Sequence, residues 1–193
     1  DLGKREEAEI LAQDVKACSI PVLAVLGNHD HESGQPEVVR QVLRDAGVMM
    51  LETRAFVVGN VGFVGTKGFA GGFGRHLLTA FGEPVIKQFV TESLNEAARL
   101  ENGLRTLHTE RIFVVLHYAP VRDTIAGEPL EIYPFLGSSR LAEAIDRFNV
   151  SAVVHGHAHH GKYEGRTPGG VPVYNVASQV EKPTGRTYGL IEV

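Results

Sequence analysis

Val153-Val-His-Gly-His-Ala-His-His160 carries an apolar run straight into clustered imidazoles, a poor design for anything except a metal site. Two earlier stretches end alike. Ile20-Pro-Val-Leu-Ala-Val-Leu26 runs into Gly27-Asn28-His29-Asp30, and Arg111-Ile-Phe-Val-Val-Leu116 runs into His117-Tyr118-Ala119-Pro120. Segments that are apolar throughout read as strands buried on both faces, the pattern of parallel sheets. An open α/β sheet binds its ligands beyond the carboxyl ends of its strands. Three such runs, each delivering an Asn or a His at that end, therefore predict one α/β sheet and one site along its edge.

The segments between these runs have helical spacing. Ala8, Leu11, Ala12 and Val15 predict a helix over 6–17. Pro36 at a first turn, followed by Val38, Val39, Val42 and Leu43, predicts another that stops at Gly47. Residues 48–51 and 55–58 read as strands, and Gly59-Asn60 is a hairpin signal leading into 61–65, where the sheet turns antiparallel. Residues 84–107 predict one long helix and 139–148 a short one. In the tail, 171–176 and 188–193 read as strands, with Thr167-Pro-Gly-Gly170 as a turn. Gly68-Phe-Ala-Gly-Gly-Phe-Gly74 lacks the strand-to-helix setting of a dinucleotide loop and is expected to be a mobile loop near the site. The Pro- and Gly-containing stretch 118–138 is expected to form a rim on the substrate side, with Tyr118, Arg122 and Arg140 as weaker candidates for gripping substrate.

At 193 residues and 43% hydrophobic content the chain can bury one sizeable core, and no linker divides it. Residues 1–193 thus read as a single domain. A formal charge of −4 without a basic stripe argues against nonspecific nucleic-acid or membrane-surface binding as the main task. No apolar run reaches the roughly 18 residues a membrane span needs. The lone Cys18 excludes an internal disulfide framework and favours a reducing, cytoplasmic setting; at the end of a helical pattern it is expected to be packed and inert.

Imidazoles and a side-chain amide oxygen suit divalent metal ions. Two metal ions roughly 3.5–4 Å apart can clamp the attacking and leaving oxygens of a phosphoryl group, and they take mixed nitrogen and oxygen ligands. In a His-x-His on extended backbone the two rings point to opposite sides, so one pair can serve two ions. Asp30 is expected to tighten its own loop, and His31, His155 and His160 to flank the site; His76 and His108 read as filler.

In order and context, Gly27-Asn28-His29-Asp30, His117 and Gly156-His157-Ala158-His159 resemble the motifs of calcineurin-like metallophosphoesterases, over nearly the whole chain. The resemblance implies a metallophosphoesterase-type α/β sandwich with mixed central sheets flanked by helices. It implies two divalent or trivalent ions, drawn from Mn, Fe or Zn, whose identities do not follow from the sequence. His157, His117 and the Asn28 side-chain oxygen would bind the second ion and His159 the first. His29 would be a general acid toward the leaving oxygen, oriented by a carboxylate for which Asp1 is the candidate. The family's Gly-Asp-x-x-Asp motif matches Asp1-Leu2-Gly3 only at its end, and its opening Asp-x-His is absent. The expectation is that a βαβ start of roughly 30 residues, including the bridging Asp, is missing.

The function so implied is hydrolysis of a phosphomonoester or phosphodiester, the substrate being a small phosphoester or a nucleotide. A catalytically inactive scaffold of the same fold that binds a protein partner is the alternative. A mononuclear zinc hydrolase of another fold is a third reading, against which stands the lack of a dense histidine cluster near the beginning of the chain. Substrate identity and oligomeric state are not legible.

Overall fold

The computed structural model describes residues 3–52 and 54–192. Two sheets carry the chain. The smaller pairs β1 (Leu23–Ala24) with β2 (Met49–Met50) in parallel. Its helices α1 (Arg5–Lys16) and α3 (Pro36–Asp45) pack on one another around Ala8, Leu26, Val39, Leu43, Val48 and Met50. Between β1 and α3 lies α2 (Asn28–Glu32), a short helix made by the Asn-His-Asp-His-Glu stretch itself.

The larger sheet has six strands in the order β3-β4-β5-β6-β8-β7. These are β3 (Phe56–Val58), β4 (Val61–Thr66), β5 (Arg111–Leu116), β6 (Ala152–His155), β7 (Glu164–Arg166) and β8 (Pro172–Asn175). The inner four strands run parallel, and both edge strands pair antiparallel, as the hairpin signal at Gly59-Asn60 predicts for the first. α4 (Pro84–Arg105) joins β4 to β5, and α6 (Ser139–Ile145) precedes β6. A four-residue helix, α5 (Tyr133–Leu136), lies in the stretch between β5 and α6. Alternate strand residues Val64, Val114, Val153 and Val173 meet Leu100 and Leu104 of α4 and Leu141 and Ile145 of α6 in the main core. Each fully buried aliphatic side chain there contributes about 2 kcal/mol of apolar transfer. The expected mixed α/β sandwich is therefore present.

Several local expectations need correction. The first strand, expected over 21–26, has only two ladder residues: Pro21 has no N–H to give, and β1 pairs only with β2 among the described residues. The strand expected at 188–193 does not form over its described part; Tyr188 and Leu190 are 53% and 60% exposed and face no partner strand. The edge of the sheet is formed by β7, joined to β8 through a turn at Thr167-Pro-Gly-Gly170 in which Gly170 N–H donates to Thr167 O at 2.9 Å. The glycine-rich stretch is not a loose loop. Gly68, Ala70, Gly71 and Gly72 are buried, with Gly71 N–H donating to Pro134 O (2.8 Å) and Gly72 N–H to Gly137 O (2.9 Å). Cys18 is exposed rather than packed, its sulfur lying 4.0 Å from Asp14 O.

Candidate metal centre

The sheets bring three of the four expected metal ligands together. Asn28 opens α2 just after β1, His117 follows β5, and His157 lies two residues past β6. Asn28 Oδ1 is 2.6 Å from His117 Nε2, and His117 Nε2 is 3.1 Å from His157 Nδ1. Gly27 makes this approach possible, because a Cβ at that position would lie 2.9 Å from His117 Cε1. Gly27 N–H in turn donates to Asp30 Oδ2 at 2.7 Å, so Asp30 tightens its own loop, as expected. The residue before the loop is tied as well. Leu26 N–H donates to Glu52 Oε1 (3.2 Å), while Arg40 Nη2 holds the other Glu52 oxygen (3.1 Å).

One imidazole offers a lone pair, while His117 Nε2–H donates to Asn28 Oδ1. His157 Nε2–H donates to Phe135 O at 3.3 Å, which leaves His157 Nδ1 free of a proton on the side of His117. The Tyr118 ring packs on the same imidazole, with centroids 4.4 Å apart, so Tyr118 supports the cluster from a buried position instead of reaching for substrate. Arg140 is likewise tied, its Nη2 to Leu78 O at 2.7 Å, and Arg122 lies over the Tyr133 ring. Burial, reinforced by His157, lowers the His117 pKa to about 3, and burial also lowers that of His157. Both rings are thus neutral near pH 7, the state in which imidazole binds a cation. Neutral rings have no proton to give up before they bind, and the ligand bonds of an ion would have to offset the cost of burying its charge.

His157 departs from the extended backbone expected of the His-x-His. Its φ is +67°, making it the one non-glycine residue in the left-handed region among those described. Such backbone costs about 1–3 kcal/mol and marks a held geometry. His159, two residues on, is exposed, and its charge bears on His157. Among the described residues, no group of three His, Cys, Asp or Glu side chains gathers around one point. The cluster is two imidazoles and an amide.

His29 stands on α2 next to Asn28, with its side chain 53% exposed and its Nδ1 2.9 Å from Glu32 Oε2. Glu32 therefore supplies a carboxylate to His29 Nδ1, a partner that the i, i+3 spacing on a helix could have revealed. Asp1, the expected partner, lies outside the described residues, while Gly3 packs against the backbone of His29 and Asp30. Of the flanking histidines, His160 is exposed and its N–H donates to Glu128 Oε1 (2.8 Å); His155 is fully buried.

That burial has a pH consequence. His155 Nδ1–H donates to Gly156 O (2.8 Å), and its Nε2 accepts from the Thr124 hydroxyl (2.7 Å). Burial lowers its pKa from 6.5 to about 4. Between those values the unfolded chain binds more protons than the folded one, so the stability from neutral His155 is complete above pH 6.5 and falls away toward pH 4. The full loss is about 3 kcal/mol. Urea unfolding of the chelator-treated protein is expected to show this decline, and His155→Gln a shallower one from a lower starting stability. Parallel declines in the two proteins would contradict the assignment.

Two sheets, where one was expected, gather imidazoles and an amide oxygen at the carboxyl ends of β1, β5 and β6, and this defines a candidate metallohydrolase. The chain belongs to the calcineurin-like phosphoesterase family, whose model matches residues 2–161. Membership supports phosphoester hydrolysis as its activity and divalent metal ions as its cofactors, in general terms. The fold is shared with phosphopantetheinyl hydrolase from Mycobacterium tuberculosis at a TM-score of 0.67 and 16% identity, over 91% of this chain and 74% of that one. A protein described as a 5′-nucleotidase from Staphylococcus aureus aligns at a TM-score of 0.49 and 18% identity, over 90% of this chain and 35% of that one, too loosely to carry an argument. No curated protein sequence matches the chain. No helix among the described residues is long and apolar enough to cross a membrane.

Proposed function

We propose that the chain hydrolyses a phosphomonoester or phosphodiester at a dinuclear metal centre, with Asn28, His117 and His157 as ligands of one ion and His159 as a ligand of the other. The observation that carries this reading is the convergence of Asn28 Oδ1, His117 Nε2 and His157 Nδ1 in contact distance, with both rings held neutral by burial. One amide oxygen and two imidazole nitrogens fit an ion of intermediate softness such as Mn, Fe or Zn better than Mg. When bound, the ions supply the positive charge and the activation of water that in-line attack on phosphorus requires.

The chain's own residues supply the rest. His29, exposed beside Asn28, holds a proton for the departing oxygen, and the Glu32 carboxylate orients its ring. Asp1 is assigned as a second carboxylate partner of His29. A groove of about 360 Å³ lined by Gly3, Ala8, Leu11, Leu26, Leu43 and His117 opens beside the cluster. Substrate is a small phosphoester or nucleotide, admitted past the exposed Phe135 side of the 118–138 stretch.

The test is turnover of bis(p-nitrophenyl) phosphate and p-nitrophenyl phosphate by the full natural chain. Turnover that needs added Mn, is lost on chelation and returns with the metal is expected, and the preferred ester shows the substrate class. Turnover that is indifferent to chelator, or no turnover with Mn, Fe or Zn, would contradict the reading.

A further inference from the structure

The left-handed backbone of His157 is held by a closed ring of buried hydrogen bonds whose side chains lie in three separate parts of the sequence. His155 ends β6, Asn175 ends β8, and Thr124 belongs to a single 3₁₀ turn over Asp123–Ile125. All three are fully buried. Starting at His155, Nδ1–H donates to Gly156 O at 2.8 Å, and the same carbonyl accepts Ala158 N–H at 2.8 Å. Ala158 O accepts from Asn175 Nδ2 at 2.7 Å. Asn175 Nδ2 also donates to Thr124 O at 3.1 Å, and the Thr124 hydroxyl returns to His155 Nε2 at 2.7 Å.

We infer that His155, Thr124 and Asn175 are positioning residues that lock the turn carrying His157, and so fix where its imidazole meets Asn28 and His117. The inference rests on the proposed role of His157 as a metal ligand. Its physical content lies in the peptide planes. The plane before His157 is pinned by the His155 ring on Gly156 O, and the plane after it by Ala158 N–H on that same oxygen. The next carbonyl is pinned by Asn175. The φ of His157 is therefore set between two fixed peptides, and the side chain inherits one direction.

The residue types are specific to these tasks. The Asn175 amide uses both donor hydrogens on carbonyls and its oxygen on Ala177 N–H (3.1 Å), so a carboxylate of the same shape would point oxygen at oxygen. The Thr124 hydroxyl has one proton. His155 Nε2 at 2.7 Å is a better acceptor for it than Val121 O at 3.3 Å, and this fixes the tautomer that donates to Gly156. Gly161 closes the ring from outside: a Cβ there would lie 2.0 Å from Thr124 O and 2.8 Å from Asn175 Nδ2. Residues that hold a ligating histidine in this way commonly change metal affinity by about 10–100-fold when replaced.

The experiment is Co²⁺ titration of the full natural chain, followed by its visible absorption, for wild type, Thr124→Val, Thr124→Ser and Asn175→Asp. Near-UV circular dichroism confirms folding of each. Thr124→Val and Asn175→Asp are expected to weaken Co²⁺ binding at least tenfold and to shift the absorption bands, because one ligand moves; Thr124→Ser, which keeps the hydroxyl, should restore both. Wild-type affinity and spectrum in Thr124→Val and Asn175→Asp would overturn the inference, as would equal damage in Thr124→Ser. If Asn175→Asp does not fold, the two Thr124 variants decide. A wild-type chain that binds no Co²⁺ would overturn the metal-site reading itself, and the positioning claim with it.

Discussion

His117→Ala is expected to remove metal-dependent turnover, by roughly 10³-fold or more, equivalent to about 4 kcal/mol of barrier. His117 is the middle of the cluster. Its Nε2 touches both Asn28 Oδ1 and His157 Nδ1, so its loss separates the other two donors and opens the space that burial keeps dry. The substitution leaves the main core intact, since Leu116 and Val114 hold the end of β5 from below. The result to look for is a folded protein with reduced metal content by elemental analysis and no turnover that added metal restores. Full activity with wild-type metal content would remove His117 from the site.

His29→Ala should act differently. It removes a proton source and leaves the cluster's contacts in place, so metal content should stay at the wild-type level while kcat falls by about 10²–10⁴-fold on esters with poor leaving groups. The loss should be much smaller for p-nitrophenyl esters, whose leaving oxygen needs little protonation. Glu32→Gln should give a milder fall of the same pattern, because it removes the charge that orients the His29 ring at 2.9 Å. A loss independent of the leaving group would show that His29 binds or orients substrate and donates no proton to it.

Much of this arrangement is readable from the chain because two of the strands that carry it, β5 and β6, are largely buried. Such strands are nearly continuous apolar runs, and a polar residue placed directly after one can only lie at the sheet's carboxyl edge. Asn28, His117 and His157 were found in this way, and the structure brings them together. The long helix α4 was legible for a similar reason, since its 3.6-residue spacing is set by the sheet it covers. Short elements were less so. β1 keeps two ladder residues out of an apolar run more than twice as long, because ladder pairing depends on neighbours that the run itself does not encode.

What stayed hidden is nonlocal or conformational. Nothing in Val153-Val-His-Gly-His announces a left-handed residue at His157; the positive φ is imposed by Thr124 and Asn175, distant in sequence on either side. The glycine-rich stretch reads as loose, yet it is tied to Pro134 and Gly137, whose proximity is a property of the fold. Glu32 lies within reach of a local reading, three residues from His29 on one helix, whereas the family pattern points to Asp1.

The most direct test of the central claim is anomalous diffraction from crystals of the full natural chain loaded with Mn or Zn. The account predicts a peak in contact with Asn28 Oδ1, His117 Nε2 and His157 Nδ1, with a second peak nearby on the His159 side. An ion bound elsewhere, with those three atoms still hydrogen-bonded to one another, would contradict it.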